Sequence, residues 1–522
     1  MPSRTFSLRQ AVDYVGNGRF QLQLLLITGA TQLADAMELM LLPFLTNAVR
    51  CDASDAMAAS EPELALLSSV VFMGMLLGAC SAGWIADVFG RRYGFLLTTA
   101  CCAIAGAGSA VAWSFNALLL ARFVVGFGVG GSPAALSLYA EFIPSTAVRA
   151  RQLLVFLSFF SIGTLLEACI AVAVLPSYGW RGLLWASAVP SALLLAIAVV
   201  FPKVLPESPR LLLTGVGAFA RDAAAAASQA KAVFDHAAQV NGRPFPADWE
   251  LVLSDADTRD GDGAGSDTHD DYDHHLDADN AALLQISAPG TTTPRKQANP
   301  IRLLLSSENP LRRRQFALLC GMYFLMALLY YGLVIFTVTL AAASDSPSSS
   351  STSPSQNSST SSNECGSLAG REWEVILENA GELPGLLLAD QLLNRIGRRK
   401  TIASLFTLCG GLLMLLLLPE IRGANAGAVL SIIMCVVRMS ALGFNQSLWV
   451  FTTELFPTNV RASALGVASG FARIGGMVSP FVAQMLFATS ATASLCLCIG
   501  VSFASALLIH AVPTETASRQ LS

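Results

Sequence analysis

The stretch Gly83-Trp-Ile-Ala-Asp87-Val-Phe-Gly90-Arg91-Arg92 decides the fold, because it joins two long apolar segments through a very short polar loop. Glycine at position 90 permits the tight backbone turn that such a loop needs. The arginine pair predicts that the loop lies on the cytoplasmic side of a membrane. The stretch therefore indicates two consecutive membrane-spanning helices.

A weaker copy of this loop lies in the second half of the chain and reads Asn394-Arg395-Ile-Gly397-Arg398-Arg399-Lys400. It again lies between apolar segments. Asn394 stands where an acid is expected, and Asp390, one turn earlier on the same helix face, is the candidate substitute. The repetition predicts a chain of two related halves.

Composition agrees with a membrane protein, since 53% of the 522 residues are hydrophobic and only 13% are charged. A soluble protein carries about 25% charged residues. The net charge of −4 is too small to indicate nucleic-acid binding. Most of the 11 cysteines lie in apolar segments without a C-x-x-C framework, so neither a metal site nor a cofactor is predicted.

The hydropathy pattern predicts an all-α polytopic membrane protein with twelve transmembrane helices in two pseudo-symmetric six-helix bundles. Basic residues fall in loops that this topology places inside, which predicts that both termini are cytoplasmic. The predicted apolar segments are 20–46, 64–86, 94–113, 117–142, 152–175, 182–201, 316–342, 373–393, 401–419, 424–451, 463–487 and 491–512. The predicted domains are a cytoplasmic N-terminus 1–19, a bundle 20–201, a central linker 202–315, a bundle 316–512 and a cytoplasmic tail 513–522.

The central linker is interpreted as a cytoplasmic domain boundary and not as a folded domain. An alanine-rich piece at 217–240 predicts a helix, whereas the Asp- and His-rich piece at 254–279 is typical of a disordered, solvated segment. Metal binding by that second piece is the less favoured alternative. In the second bundle, 344–370 predicts a Ser-rich external or luminal loop, and Asn357 begins a glycosylation sequon there.

Ionisable residues recur inside the apolar segments, although each costs about 2.5–3.5 kcal/mol at the bilayer centre. Asp35 and Glu38 share one helix face, so mutual repulsion predicts that one of them carries a proton in part of a cycle. The alternative is that the buried charges form ion pairs that only hold the halves together. The candidates for proton coupling or substrate binding are Asp35, Glu38, Arg122, Glu167, Glu378, Glu382, Arg438 and Arg473.

Aromatic and amide side chains in two helices are candidates for a cavity lining, with packing as an equal alternative. These candidates are Tyr330, Tyr331, Asn445, Gln446 and Trp449.

The loop pattern G-x-x-x-D-x-x-G-R-R resembles the signature of the major facilitator superfamily of transporters. Further strings resemble its synaptic vesicle 2-related and organic-ion transporter branch: Ala34-Asp35-Ala36-Met37-Glu38, Ile162-Gly-Thr-Leu-Leu-Glu167, Tyr330-Tyr-Gly-Leu-Val334 and Ala472-Arg473-Ile-Gly-Gly. The resemblance implies that the two loops act as gates, through Gly83, Asp87, Gly90, Arg91, Arg92, Asp390, Asn394, Gly397, Arg398 and Arg399.

The resemblance also implies secondary active transport of a small organic ion by alternating access, coupled to protons through Asp35 and Glu38 or Glu167. The glutamine pair of sugar porters is absent from Cys320-Gly-Met-Tyr-Phe-Leu-Met-Ala, which disfavours a sugar substrate. A facilitative carrier of a neutral solute such as a sugar, and a non-transporting vesicle or receptor-like protein, are the alternatives. The sequence contains neither a G-x-x-x-x-G-K-[ST] phosphate-binding loop nor a convincing nucleophile constellation, so an enzyme is not expected. The expected location is the plasma membrane or a vesicle membrane.

Overall fold

The computed structural model describes residues 4–50, 57, 59–144, 148–214, 223–246, 248–252, 304–305, 310–343, 372–418, 427–456 and 458–516. The N-terminal bundle consists of α2 (Arg19–Arg50), α3 (Glu61–Phe89), α4 (Arg91–Ala110), α5 (Phe115–Gly130), α6 (Pro133–Glu141) and α7 (Val148–Val200).

The C-terminal bundle begins after the central linker. It consists of α10 (Pro310–Ala343), α11 (Glu372–Ala380), α12 (Glu382–Ile396), α13 (Arg398–Leu415), α14 (Gly427–Leu455), α15 (Thr458–Pro480), a π-helical continuation Phe481–Leu486, a last turn Phe487–Thr489, and α16 (Ala491–Ala511).

These helices confirm the predicted polytopic fold. Nine of the helices in the described part of the chain are long and apolar enough to cross a membrane. The helix α7 is long enough for two spans, and it is interrupted at Gly179, whose φ of 63° breaks the helix between them. With α11–α12 and α13 as the eighth and ninth segments, the described residues contain both predicted sets of six.

Large apolar side chains cover the outside of both bundles. Ile104, Leu120 and Leu507 are 70%, 66% and 72% exposed. Such a surface is unfavourable in water and matches the hydrocarbon of a bilayer. The polar and charged candidates lie inside instead.

Glycines let α3 and α5 approach until their backbones touch. A Cβ atom on Gly126 would overlap the Val71 carbonyl, and one on Gly74 would overlap the Phe123 carbonyl. Close approach through small residues is the usual means of packing helices in lipid. The helix α5 is thereby fixed against α3, which positions the arginine that α5 carries.

A small folded unit outside the bundles joins the N-terminus to the linker. We call it the clasp; it consists of β1 (Arg4–Ser7), α1 (Leu8–Val15), α9 (Ala223–Val240) and β2 (Trp249–Val252). The strands pair in parallel, with Arg4 opposite Trp249 and Ser7 opposite Val252.

Aromatic packing holds the clasp together, and a hydrogen bond of Asn241 joins it to the N-terminal bundle. Phe245 stacks on Trp249 at 4.1 Å, and Phe6 packs edge-on against both. The Asn241 side chain donates to the Val15 carbonyl at 3.1 Å and accepts from the Phe20 amide at 2.9 Å.

The sequence predicted that the linker contains no folded domain. Residues 223–246 and 248–252 are folded instead, because their apolar side chains pack against the distant N-terminus. The helix predicted at 217–240 is observed as α9 in its described part, Ala223–Val240. The helix α8 (Pro209–Thr214) packs beside α9. The segments 254–279 and 344–370, with Asn357, lie outside the described residues.

Candidate functional site

A buried ion pair lies inside the N-terminal bundle. Glu38 of α2 accepts a hydrogen bond from Arg122 of α5 at 2.8 Å, and both side chains are 1% exposed. The Ser109 hydroxyl accepts from Nε and Nη2 of Arg122 at 2.9 and 2.7 Å. These contacts compensate both charges within one bundle, which makes their burial tolerable.

Two further acids of this bundle accept no hydrogen bond from an arginine among the described residues. Glu167 of α7 is fully buried; its Oε1 accepts from the Ser187 hydroxyl at 2.6 Å, and its Oε2 has no hydrogen-bond partner among the described residues. Asp35 is 5% exposed, and its Oδ2 is likewise without a partner in the described chain. A buried carboxylate oxygen with no donor favours a proton or a bound cation.

A second buried ion pair lies in the C-terminal bundle. Arg438 of α14 is 2.7 Å from Glu382 at the start of α12, and both side chains are 0% exposed. The Tyr330 hydroxyl donates to Glu382 at 3.1 Å, and Arg438 also donates to the Asn379 side chain at 2.8 Å. The other Glu382 oxygen accepts from Thr164 of α7 at 3.0 Å, so this pair is bonded to both bundles.

Arg473 of α15 lies at the contact between the bundles. Its Nη1 donates to the Tyr331 hydroxyl at 3.3 Å and lies 3.8 Å from the Met75 sulfur of α3. Phe72 of α3 packs on Tyr331 with ring centroids 4.6 Å apart. A cation is thus placed where the two halves meet.

The remaining candidates are Glu378, proposed for coupling or substrate binding, and three residues proposed to line a cavity. Glu378 is 5% exposed on α11. Asn445 and Gln446 are partly buried on α14. Trp449 packs edge-on against Tyr323 at 5.2 Å. For these residues, lining a cavity stays a prediction.

In the first motif loop the chain turns at Gly90, whose φ of 113° is a conformation that favours glycine. Arg91 forms an ion pair with Glu141 at the end of α6 and donates to the Ser137 hydroxyl. Glu207, which follows the sixth span, accepts from the Arg91 amide at 2.7 Å and so caps α4. Burial raises the pKa of Glu207 above its ordinary value.

The second motif loop repeats this arrangement. Gly397 has a φ of 89°, and Arg398 forms two hydrogen bonds of 2.9 Å with Glu454 at the end of α14. Glu515 caps α13 by accepting from the amides of Arg398 and Arg399 at 3.0 and 3.2 Å.

The hydroxyls that complete both loops also correspond. Thr516 donates to Glu454 at 2.6 Å, as Ser208 donates to Glu141 at 2.5 Å. Glu515 and Thr516 belong to the stretch that the sequence analysis treated as a tail. The signal was present in the similar strings Pro206-Glu207-Ser208 and Pro513-Thr514-Glu515-Thr516.

The acids proposed for the gates are not placed by these contacts. The side chain of Asp87 lies outside what the structure describes, and Gly83 is exposed. Asp390 and Asn394 are both exposed on α12. The idea that Asp390 replaces the missing acid stays a prediction. Of the other basic residues, Arg92 donates its amide to Glu207, and Arg399 donates from its side chain to the His510 carbonyl at 2.8 Å.

Sequence reasoning found the charged members of both buried clusters and Tyr330, and it missed their other neutral partners. The missed residues are Ser109, Thr164, Ser187 and Asn379. Serine and threonine are common in membrane helices, where they bond their own backbone. Nothing in the sequence therefore distinguishes these four from the others.

Comparison with known proteins agrees with this geometry. The profile of the sugar (and other) transporter family matches residues 37–241 and 383–522. The synaptic vesicle 2-related protein of Rattus norvegicus is 32% identical over 99% of this chain and 82% of its own length. Organic cation/carnitine transporter 7 of Arabidopsis thaliana is 31% identical over 99% of this chain and 96% of its own length. Among solved structures, the partially occluded inward-open form of the xylose transporter XylE from E. coli superposes with a TM-score of 0.66 at 15% identity, covering 96% of this chain and 100% of that one.

Proposed function

This chain belongs to the sugar (and other) transporter family of the major facilitator superfamily, and from that premise we propose that it moves a small organic ion by alternating access, coupled to protons. The family consists of integral membrane transporters and not of enzymes. A small-molecule substrate follows from membership. The proposal concerns the ionic substrate and the coupling.

The observation that carries the proposal is the bonding of Glu382. This carboxylate holds Arg438 and Tyr330 in its own bundle and Thr164 in the other. Alternating access needs the two bundles to move against each other around a central site. A solute that competes for Arg438 or Glu382 would change the contact between the bundles, which couples binding to motion.

The buried charges support an ionic substrate, and a cation in particular. Among the buried charged side chains of the described residues, acids outnumber arginines. The acids are Asp35, Glu38, Glu167, Glu374, Glu378 and Glu382, and the arginines are Arg122 and Arg438. A cleft with an excess of one charge attracts ligands of the opposite charge. One relative is named an organic cation/carnitine transporter, in agreement with this balance.

Proton coupling is supported by the acids that no arginine pairs directly. Glu167 and Asp35 each have an oxygen without a donor among the described residues, and neither accepts a hydrogen bond from an arginine there. Glu38 also has such an oxygen, Oε1, but its other oxygen accepts from Arg122. A proton that binds and leaves during each cycle links its gradient to substrate movement. The geometry therefore favours Glu167 and Asp35 over Glu38 for this role.

The orientation and the membrane belong to the same proposal. We place both motif loops and both termini on the cytoplasmic side because of their arginines. Similarity to synaptic vesicle 2-related proteins makes a vesicle membrane the first location to examine.

The test is uptake by proteoliposomes that contain the purified full chain, with and without an inward proton gradient. The probes are tetraethylammonium, carnitine, nicotinate and xylose, which cover a cation, a zwitterion, an anion and a neutral solute. We expect accumulation of an ionic probe that collapses when a protonophore is added.

Liposomes with the Glu382→Gln protein, matched for insertion and amount, are the control and should accumulate less. Uptake of xylose alone, unaffected by the gradient, would favour the facilitative carrier. No uptake of any probe by a correctly inserted protein would favour the non-transporting alternative.

A further inference from the structure

A small cavity lies beside Asp35 inside the N-terminal bundle. Its wall includes Thr31 of α2, Thr98 and Thr99 of α4, and Ser191 of α7. The volume is about 10 Å³, close to the minimum that holds one water molecule. All four hydroxyl residues and Asp35 are at most 7% exposed. The cavity is therefore a buried space for a single small particle, lined by these oxygens together with Ala34, Cys102, Gly128 and Leu194.

The wall presents lone pairs and few free hydrogens. The Thr98 hydroxyl donates to the Gly94 and Phe95 carbonyls, both at 3.0 Å, and the Thr31 hydroxyl donates to the Ile27 carbonyl at 3.2 Å. Because both hydroxyl hydrogens are already donated to backbone carbonyls, these oxygens can only accept a hydrogen bond or coordinate a cation.

Two wall atoms have no hydrogen-bond partner in the described part of the chain, Oδ2 of Asp35 and Oγ1 of Thr99. Ser132 bonds the Asp35 carboxylate from the turn before α6. The occupant that satisfies such a wall is a cation or a hydrogen-bond donor, and an anion is excluded.

The charge of the described cavity wall comes from Asp35, since no arginine is among the residues that line it. On α2, Glu38 is compensated by Arg122 of α5. The α4 helix contributes Cys102 to the wall. Arg473 of the other bundle interacts with Asp35 through its charge, and its guanidinium is bonded to Tyr331.

We propose that this cavity is a binding site for one small dehydrated monovalent cation, sodium or lithium, with the Asp35 carboxylate and threonine hydroxyl oxygens as ligands. Hard cations prefer carboxylate and hydroxyl oxygens. A single positive charge neutralises the buried carboxylate, whereas a divalent ion would leave an excess charge inside the bundle. Potassium is about the size of a water molecule but has a lower charge density than sodium or lithium, so it should bind the carboxylate more weakly. The site goes beyond the proposed transport function, because the ion can bind whether or not the chain moves a solute. With the cation on Asp35, the coupling proton is assigned to Glu167.

The experiment measures thermal unfolding of the purified full chain in detergent, in sodium, lithium, potassium or choline chloride at equal ionic strength. A ligand that binds the folded state raises the midpoint in a saturable manner. We expect sodium and lithium to raise it by at least about 2 °C over choline, and potassium to raise it less. Equal midpoints in the four salts would show that the cavity holds water or that Asp35 holds a proton, and would overturn the proposal.

Two variants locate the effect. Asp35→Asn should abolish the sodium shift, and Thr99→Val should raise the sodium concentration needed for half of the shift by about tenfold. Thr339→Val is the matched control, because Thr339 is a buried threonine on the other bundle that donates to its own helix at 2.9 Å. A sodium shift that persists in both cavity variants would place the ion elsewhere and refute the site.

The two proposals fail separately. Loss of the sodium shift with intact organic-ion uptake rejects this site alone. A normal sodium shift without uptake rejects only the transport proposal.

Discussion

In the described part of each bundle a glutamate–arginine pair is buried, and the two pairs are completed differently. The pair Glu38–Arg122 is completed by Ser109 of the same bundle. The pair Glu382–Arg438 is bonded to Thr164 of the opposite bundle. Movement of one bundle against the other must change the second pair and can leave the first intact. The first pair is therefore bonded within its own bundle, whereas the second pair links the two bundles.

The motif loops show the opposite relation, because there the halves agree. Glu207 and Glu515 cap equivalent helices, and Glu141 and Glu454 hold equivalent arginines. The halves therefore share the loop machinery and differ in the membrane interior. The following experiments test that division, from the largest expected effect to the smallest.

The Glu38→Gln change should abolish every transport mode and destabilise the protein, because it leaves Arg122 buried without a counter-charge. Breaking a buried ion pair from one side costs about 3–5 kcal/mol. The measurement is the thermal midpoint together with exchange and accumulation. The double variant with Glu38→Leu and Arg122→Leu removes both charges and should recover much of the midpoint.

The sequence left proton coupling to Asp35 and Glu38 or to Glu167, and this experiment tests the part of Glu38. A Glu38→Gln protein with a normal midpoint and normal exchange, but no accumulation driven by pH, would support that role.

The Glu167→Gln change should abolish accumulation driven by the proton gradient and preserve exchange. Ser187 can donate to an amide oxygen as it does to Oε1 of Glu167, so the fold should be retained while titration is lost. The two activities are measured side by side in one liposome preparation. Unchanged accumulation would remove Glu167 from the coupling mechanism.

The Thr164→Val change should alter turnover several-fold and lower stability by only about 1 kcal/mol, the usual net contribution of one hydrogen bond. The reason is that Thr164 donates to Glu382 across the bundles. Thr337→Val is the control, since Thr337 is buried and donates within α10. Equal turnover in both variants would mean that the second pair is as local as the first.

The Glu207→Ala and Glu515→Ala changes should lower stability by similar amounts, about 0.5–2 kcal/mol each, as expected for a helix cap. Truncation after Thr516 is the control, since it leaves both caps in place. The measurement compares the thermal midpoints of the two variants and of the truncated protein. A normal midpoint for Glu515→Ala alone would show that the two loops are not equivalent.

Replacement of residues 254–299 by a short Gly/Ser bridge should leave the midpoint unchanged, because the composition of this segment favours no core. Extending the deletion to 242–299 should lower the midpoint, since it removes Phe245 and Trp249 from the clasp. Size-exclusion profiles and midpoints of both deletions provide the comparison. Similar behaviour of the two would assign the clasp no structural role.

The sequence by itself determined the helical membrane fold, its two halves and the charged candidates of the site. Length and hydropathy suffice for this, because a bilayer accepts an apolar helix of about 20 residues and penalises each charge. The turns at Gly90 and Gly397 were equally readable, since these two positions require a residue that tolerates a positive φ.

Only the tertiary structure decided which charges pair and which segments fold together. Glu38 is bonded to Arg122, which lies 84 positions along the chain, and Glu382 is bonded to Thr164 at a separation of 218. Trp249 pairs with Arg4, and the whole N-terminal bundle lies between these two residues in the sequence. Periodicity shows which face of a helix is polar, whereas the partner of a polar group depends on packing between helices that are distant in sequence.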